Sequence, residues 1–183
     1  MRALVVYESM YGNTHVVAQH IADGLRPTFE VDVVSVGEAT PERVAAADLV
    51  VAGGPTHAHG LSRQSTRTAA VEAAQKEGSD LELDADAIGP GLRDWFDGVG
   101  EHSIAAAAFD TRLDMGKLLT GRASRNIAHR LRRHGFVLVA DPESFLVDKQ
   151  THLLDGQDRR ASEWGEALAR QVSARPLRHP AGT

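Results

Sequence analysis

A chain of 183 residues, 42% hydrophobic and 25% charged, has the size and composition of one globular domain, which excludes disordered, collagen-like and coiled-coil classes. Twenty Lys and Arg against 25 Asp and Glu leave a net charge of −5, so there is no basic surplus for holding nucleic acid, and no nucleic-acid partner is expected. Cysteine is absent, which removes disulfides, thiolate metal sites, Cys nucleophiles and dithiol redox motifs; any redox chemistry has to come from a bound cofactor.

The chain opens on a short apolar run, Leu4 to Tyr7, and meets Glu8 at once. That run is too short for a secretory signal, so a cytoplasmic location is expected. Four further strand-sized runs follow: Val31 to Val36, Leu49 to Ala52, Ile104 to Phe109 and Phe136 to Ala140. Between them, Thr14 to Leu25, Pro41 to Ala47, Ser62 to Lys76 and Ser124 to His134 carry apolar residues at helical spacing, and a last helix is predicted over Arg159 to Val172. Alternating strands and helices imply right-handed crossovers and a parallel sheet with helices on both faces. No apolar run approaches the ~18 residues of a membrane span.

Two segments interrupt the spacing. Residues 77–101 hold eight acidic residues and one base, Arg93, a local net of −7; within this insert Leu92, Trp95 and Phe96 suit a short helix packed on the body. From Arg122 to Arg133 the sign reverses, with five arginines and no acid, which reads either as a solvated helix face or as a docking surface for a redox partner. The expected organisation is one domain over residues 1–172 containing the acidic insert, with residues 173–183 as a disordered tail.

The most informative stretch runs from Val5 to Ile21: strand, hydroxyl-bearing loop, helix. A helix N-terminus exposes unpaired N–H groups and the positive end of its dipole, so a loop wrapped onto it is a ready phosphate site. Ser9 and Thr14 add hydroxyls, Gly12 lets the backbone approach closely, and no Lys or Arg lies between Glu8 and Ala22. Neither a nucleotide-triphosphate loop nor a dinucleotide Gly-x-Gly-x-x-Gly loop is present. A cation-free cradle suits a phosphate monoester held by amides and hydroxyls; the competing reading is an ordinary βα loop capped by Asn13 or Thr14.

With Val5, Val6, Tyr7, Ser9, Gly12, Thr14, Ala18 and Ile21 at their constrained positions, this stretch resembles the FMN-binding signature of the flavodoxin family. The likeness extends over roughly Arg2 to Val172. It implies a flavodoxin-like doubly wound α/β fold, a five-stranded parallel sheet of order 2-1-3-4-5, FMN as cofactor, and Ser9, Met10, Tyr11, Gly12, Asn13 and Thr14 around its phosphate. In such a sheet the ligand sits where strand order reverses, between strands 1 and 3. The loop after strand 3 would then contribute Pro55, Thr56 and His57, with His57 at the place where the family often stacks an aromatic on the flavin. Solvated histidines, or a metal held by His57 and His59, are the alternatives, and the metal lacks a third ligand. The loop after strand 4 would contribute Phe109, Asp110, Thr111 and Arg112, with backbone amides at the pyrimidine edge and Arg112 balancing charge on a reduced ring; alternatively Asp110 and Arg112 pair with each other. The tyrosine that usually covers the second flavin face is missing here.

The resemblance implies electron transfer through bound FMN to a redox partner protein. A second reading is an FMN-dependent oxidoreductase of the NAD(P)H-quinone reductase or protoporphyrinogen oxidase type, acting on NAD(P)H or a small quinone-like substrate, and a third is a degenerate flavodoxin domain that binds no flavin. A phosphoacceptor domain would need an acidic pair after strand 1, where Glu8 stands alone, and a serine hydrolase would need a Gly-x-Ser-x-Gly elbow that does not occur.

Overall fold

Strands rich in Val and Ala, without alternating polar residues, need cover on both faces, and the computed structural model shows how they get it. It describes residues 1–56, 60–115 and 121–174. Strands β1 (Arg2–Tyr7), β2 (Glu30–Ser35), β3 (Leu49–Pro55), β4 (Ala105–Leu113) and β5 (Val137–Leu138) are parallel and stand in the order β2-β1-β3-β4-β5, the order the resemblance implies. Val5 lies opposite Val33 on one side and Val51 on the other, and Ala52 lies opposite Ala108.

Helices α1 (Asn13–Leu25) and α6 (Gln157–Ser173) cover one face, burying Val17, Ile21 and Leu168 against Val5, Val51 and Phe145. Helices α2 (Pro41–Ala45), α4 (Leu92–Gly98) and α5 (Ala123–Arg133) cover the other, with Val44, Phe96 and Ile127 against Leu4, Val6 and Val50. Helix α3 (Gln64–Ala74) buries only Arg67 and Ala70. The apolar residues noted in the acidic insert form α4, where Leu92 and Phe96 are fully buried and the Trp95 indole donates to the Ala39 carbonyl at 2.9 Å.

The structure departs from the expected elements along the second half of the sheet. Strands 3 and 4, read as ending at Ala52 and Phe109, run on to Pro55 and Leu113, and a further strand, β6 (Glu143–Val147), pairs with Phe109 to Leu113. Residues 110–112, expected in a loop, are therefore strand residues. The fifth sheet position is occupied in two pieces, β5 opposite Ala105 and Ala106 and β6 opposite the end of β4, with Pro142 between them; proline has no N–H to continue the ladder. Gly53 and Gly54, just past the expected end of the third strand, serve packing. A Cβ on Gly53 would stand 2.1 Å from the Phe109 ring and one on Gly54 would stand 2.7 Å from Leu92 Cδ1, so their absence seats a large side chain on each face. Phe109 then meets Phe145 and Trp164 edge-on, with centroids 6.2 and 6.4 Å away.

Helices α1 and α6 touch backbone to backbone. A Cβ on Gly165 would lie 2.2 Å from the Ile21 carbonyl oxygen, and one on Gly24 would lie 2.0 Å from that of Ser162. Replacing a helical Gly by Ala normally gains about 1 kcal/mol. Here the nearest atom is a backbone oxygen that cannot step aside, and overpacking of this kind costs ~1–3 kcal/mol. Gly165→Ala is therefore expected to lower the urea midpoint with an unchanged slope; a raised midpoint would contradict the close approach.

Candidate functional site

The loop between β1 and α1 sits at the reversal of strand order, since β1 is flanked by β2 and β3. Gly12 occupies the N-cap of α1 at φ 84°, and a Cβ there would meet nothing within 4 Å, so glycine is needed for its left-handed backbone and not for space. No side chain caps the helix, contrary to the ordinary capped-loop reading. The first helical hydrogen bond runs from Val16 N–H to Gly12 O at 2.9 Å, which leaves the N–H groups of Asn13, Thr14 and His15 without an i−4 acceptor. Ser9 Oγ accepts the Gly12 N–H at 3.1 Å and keeps its own proton for donation. Thr14 Oγ1 lies 2.8 Å from Thr111 Oγ1; one proton serves that bond and the other remains free. Convergent amides and hydroxyls on a helix N-terminus, with no cation in the loop, match the donor set that a phosphate monoester requires.

The other predicted loop residues turn elsewhere. Met10 is buried with Ala70 and Ala87, its carbonyl accepting the Asp84 N–H at 2.9 Å, and the Tyr11 hydroxyl donates to the Ala70 carbonyl at 3.1 Å. Asn13 Nδ2 donates to the carbonyl of Thr151, which holds φ 63°, a conformation rare for a β-branched residue. The turn that carries Thr151 is set by Asp148 Oδ1, which accepts the N–H groups of His152 and Gln150 at 2.8 and 2.9 Å; these bonds, the one from His152 above all, hold the Asp148 carboxyl below the usual carboxylate range. The first loop is thus fastened to the turn after β6 through a residue 138 positions away.

Beside it, the acidic insert closes over β1. Tyr7 and His15 stack with centroids 4.3 Å apart, the Tyr7 hydroxyl donates to Asp86 Oδ2 at 3.4 Å, and His15 Nδ1 stands 3.4 Å from Asp84 Oδ2. Glu8 is buried and makes the strongest connection. It accepts the Leu92 N–H at 2.8 Å and the hydroxyl of Ser62, which also takes a 3.4 Å bond from the buried Arg67; Arg67 donates in addition to Gln64 Oε1 and Asp94 Oδ2 at 2.7 and 3.1 Å. Sequence reasoning missed this cluster. A solitary acid ending a buried strand was its only signal.

Pro55 and Thr56 end β3 and begin the next loop; His57 lies outside the described residues. Thr56 N–H donates to the Thr111 carbonyl at 2.8 Å and Thr56 Oγ1 accepts the Ala123 N–H at 2.9 Å. Phe109 lies in the core, and the buried Asp110 accepts the Ser124 N–H at 2.7 Å, close to the start of α5. Arg112 donates to the carbonyls of Leu113 and Met115 at 3.1 and 2.9 Å. The amides of residues 110–112 lie in the sheet, between β3 and β6, because the unforeseen β6 extends β4. What the structure brings together here is Ser9, Gly12, Thr14 and Thr111 on one side and the anchored stems of two loops on the other. Among the described residues no group of three or more His, Asp or Glu is placed to hold a metal, and no helix is long and apolar enough to cross a membrane.

Sheet order and the loop that leads from β1 into α1 define a doubly wound α/β protein whose strand order reverses between β1 and β3. The flavodoxin family model matches residues 5–109, more than half of the chain, and the protein belongs to the flavodoxin family. It is similar to a flavodoxin from the domain Archaea, with 19% identity, 94% of this chain and 99% of that one covered and a TM-score of 0.64. It is likewise similar to oxidised flavodoxin 2 from Bacillus cereus, with 20% identity, 93% and 99% coverage and a TM-score of 0.64. A rubredoxin:oxygen oxidoreductase from Desulfovibrio gigas matches at 16% identity and a TM-score of 0.60, over 94% of this chain and 36% of that one. No curated protein sequence matches significantly.

Two outcomes test this geometry. Glu8→Ala removes the acceptor for the Leu92 N–H and a charge inside a buried polar cluster. It is expected to cost about 3 kcal/mol, read from chemical denaturation, and to speed amide exchange over residues 91–98. The two tyrosines give a second readout. Burial foremost, then the facing Asp86 and Asp84 carboxylates, push the Tyr7 phenol well above its ordinary pKa, and burial raises Tyr11. The native state keeps protons that the unfolded chain loses, so this contribution is full below pH ~10 and declines as pH rises further. Phenolate absorbance of the folded protein should lag that of the denatured chain on alkaline titration; coincident curves would contradict the arrangement.

Proposed function

We propose that the protein binds FMN at the β1–β3 crevice and carries electrons through it to a redox partner. The observation that carries this reading is the Ser9–Thr14 loop, whose three helix-end amides and free hydroxyl protons suit a phosphate monoester without a cation. Bound FMN supplies the one- and two-electron chemistry that a chain without cysteine lacks.

The roles of the chain's own residues follow from their positions. Ser9, Gly12, Asn13 and Thr14 hold the phosphate, and Met10 and Tyr11 tie the loop to α3 and the insert. Pro55 and Thr56 at the end of β3 would flank the ring, and His57 keeps the stacking role that the family resemblance implies. Phe109, Asp110, Thr111 and Arg112 support it from β4 through their side chains, since the amides of 110–112 lie in the sheet.

The test separates phosphate from ring. The isolated protein should be yellow, and adding FMN to the stripped chain should quench flavin fluorescence. Thr14→Ala removes a hydroxyl bond to an anion and should weaken FMN about tenfold while changing riboflavin less than about twofold. Thr111→Ala breaks the same Thr14–Thr111 contact but keeps the Thr14 hydroxyl, and should preserve the preference for FMN. Equal losses of FMN and riboflavin in Thr14→Ala would place the phosphate elsewhere. For a carrier, NAD(P)H with a quinone should give no turnover.

A further inference from the structure

We infer that the outer face of α5, with the cleft beside it, is the docking surface for a protein partner that presents an acidic face. This rests on the reading of the protein as a redox carrier and adds the chemistry of its partner. A cleft of about 430 Å³ lies along α5 next to the break between β5 and β6, and its walls carry Arg122, Arg125 and Arg132 against a single acid, Asp141. Arg122 is fixed as part of the wall, Nε donating to Ser144 Oγ at 3.1 Å and Nη2 to the Pro142 carbonyl. Arg125 and Arg132 are exposed, and their guanidinium groups have no hydrogen-bond or ion-pair partner among the described residues. Seven positions apart on one helix face, their backbones stand ~10 Å apart along its axis, a spacing that suits separate carboxylates on a protein surface.

The positive surface continues across α5. Arg130 lies 5.7 Å over the Phe96 ring, and it and Arg63 are near enough to Arg93 that, with burial the larger cause, they lower its pKa. Five arginines without an acid lie between Arg122 and Arg133 in a chain of net charge −5, which concentrates like charge on one helix. Their location supplies a reason. Arg63 and Arg122 follow the loops after β3 and β4, so the positive face borders the crevice where a docked partner must approach the ring. Electrostatic complementarity of this kind steers association and sets orientation.

The probe is a strongly acidic [2Fe–2S] ferredoxin, titrated calorimetrically into the FMN-loaded protein and, separately, into the stripped chain. Binding is expected at about 20 mM salt and should weaken at least tenfold at about 200 mM. The double substitution Arg125→Glu/Arg132→Glu should weaken binding at least tenfold with FMN content unchanged, and Arg125→Lys/Arg132→Lys should restore most of it. Unchanged affinity in the charge-reversed variant, or no salt-dependent ferredoxin binding by the wild type, overturns the inference. So does tight binding of inorganic pyrophosphate in the cleft without ferredoxin binding, which would mark a small-anion site. Ferredoxin binding by a chain that fails to take up FMN would remove the proposed cofactor and leave the docking surface standing; FMN uptake without ferredoxin binding would do the reverse.

Discussion

A carboxylate buried at the end of a central strand must be compensated on every side, and Glu8 is compensated by groups from three separate parts of the chain. The Leu92 N–H comes from the acidic insert, the Ser62 hydroxyl from the far stem of the loop after β3, and Arg67, from α3, reaches the same hydroxyl. Leaving any of these unmade would strand a polar group in a site of low dielectric. The end of β1 therefore fixes where the insert lands and where the next crevice loop re-enters the body. Gly91 makes the arrangement possible, since a Cβ there would lie 2.1 Å from Arg67 Nη1 and 3.1 Å from Glu8 Oε2.

The same logic holds around the crevice. Thr56, Asp110 and Thr111 spend their hydrogen bonds on one another's elements: Thr56 on β4 and the first residue of α5, Asp110 on the second residue of α5, and Thr111 on Thr14. Rigid stems of this kind confine a loop's end points while leaving its composition open to ligand chemistry. The arrangement places the polar groups of the fold at the carboxyl ends of the strands, while the middle of each strand is filled by Val, Ala and Phe.

Much of this was legible from the chain, for identifiable reasons. The parallel sheet with helices on both faces followed from the alternation of short apolar runs with amphipathic helices, the strand order from the flavodoxin resemblance, and the first loop from residues whose spacing only a strand–loop–helix unit requires. The insert's helix was visible because Leu92, Trp95 and Phe96 are large and apolar in an acidic setting. The strand ends were not legible. Asp110, Thr111 and Arg112 look like loop residues, and they are strand residues because β3 runs on to Pro55 on one side while β6, opened by Glu143 and Ser144 after a proline, gives β4 a partner on its outer side. Gly53-Gly54 looks like a turn unless Phe109 and Leu92 are already known to need the space. Pairings between residues 84 or 138 positions apart, Glu8 with Leu92 and Asn13 with Thr151, leave no local pattern at all.

The Thr14–Thr111 contact joins the two halves of the crevice in one polar link. Thr14 belongs to the second residue of α1, where a phosphate would be held, and Thr111 to the end of β4, next to the loop that would meet the ring. Two hydroxyls 2.8 Å apart have only one way to share a bond: one donates, and the other is left with a proton to direct elsewhere. An acceptor arriving at Thr14 draws the Thr14 proton and obliges Thr111 to donate; without it, either direction satisfies the pair. A phosphate at Thr14 would therefore set the direction of a hydrogen bond that reaches into β4, and Thr111 also gives its carbonyl to the stem of the β3 loop. The stems at the ends of β3 and β4 are in this way connected to the loop between β1 and α1 by hydrogen bonds.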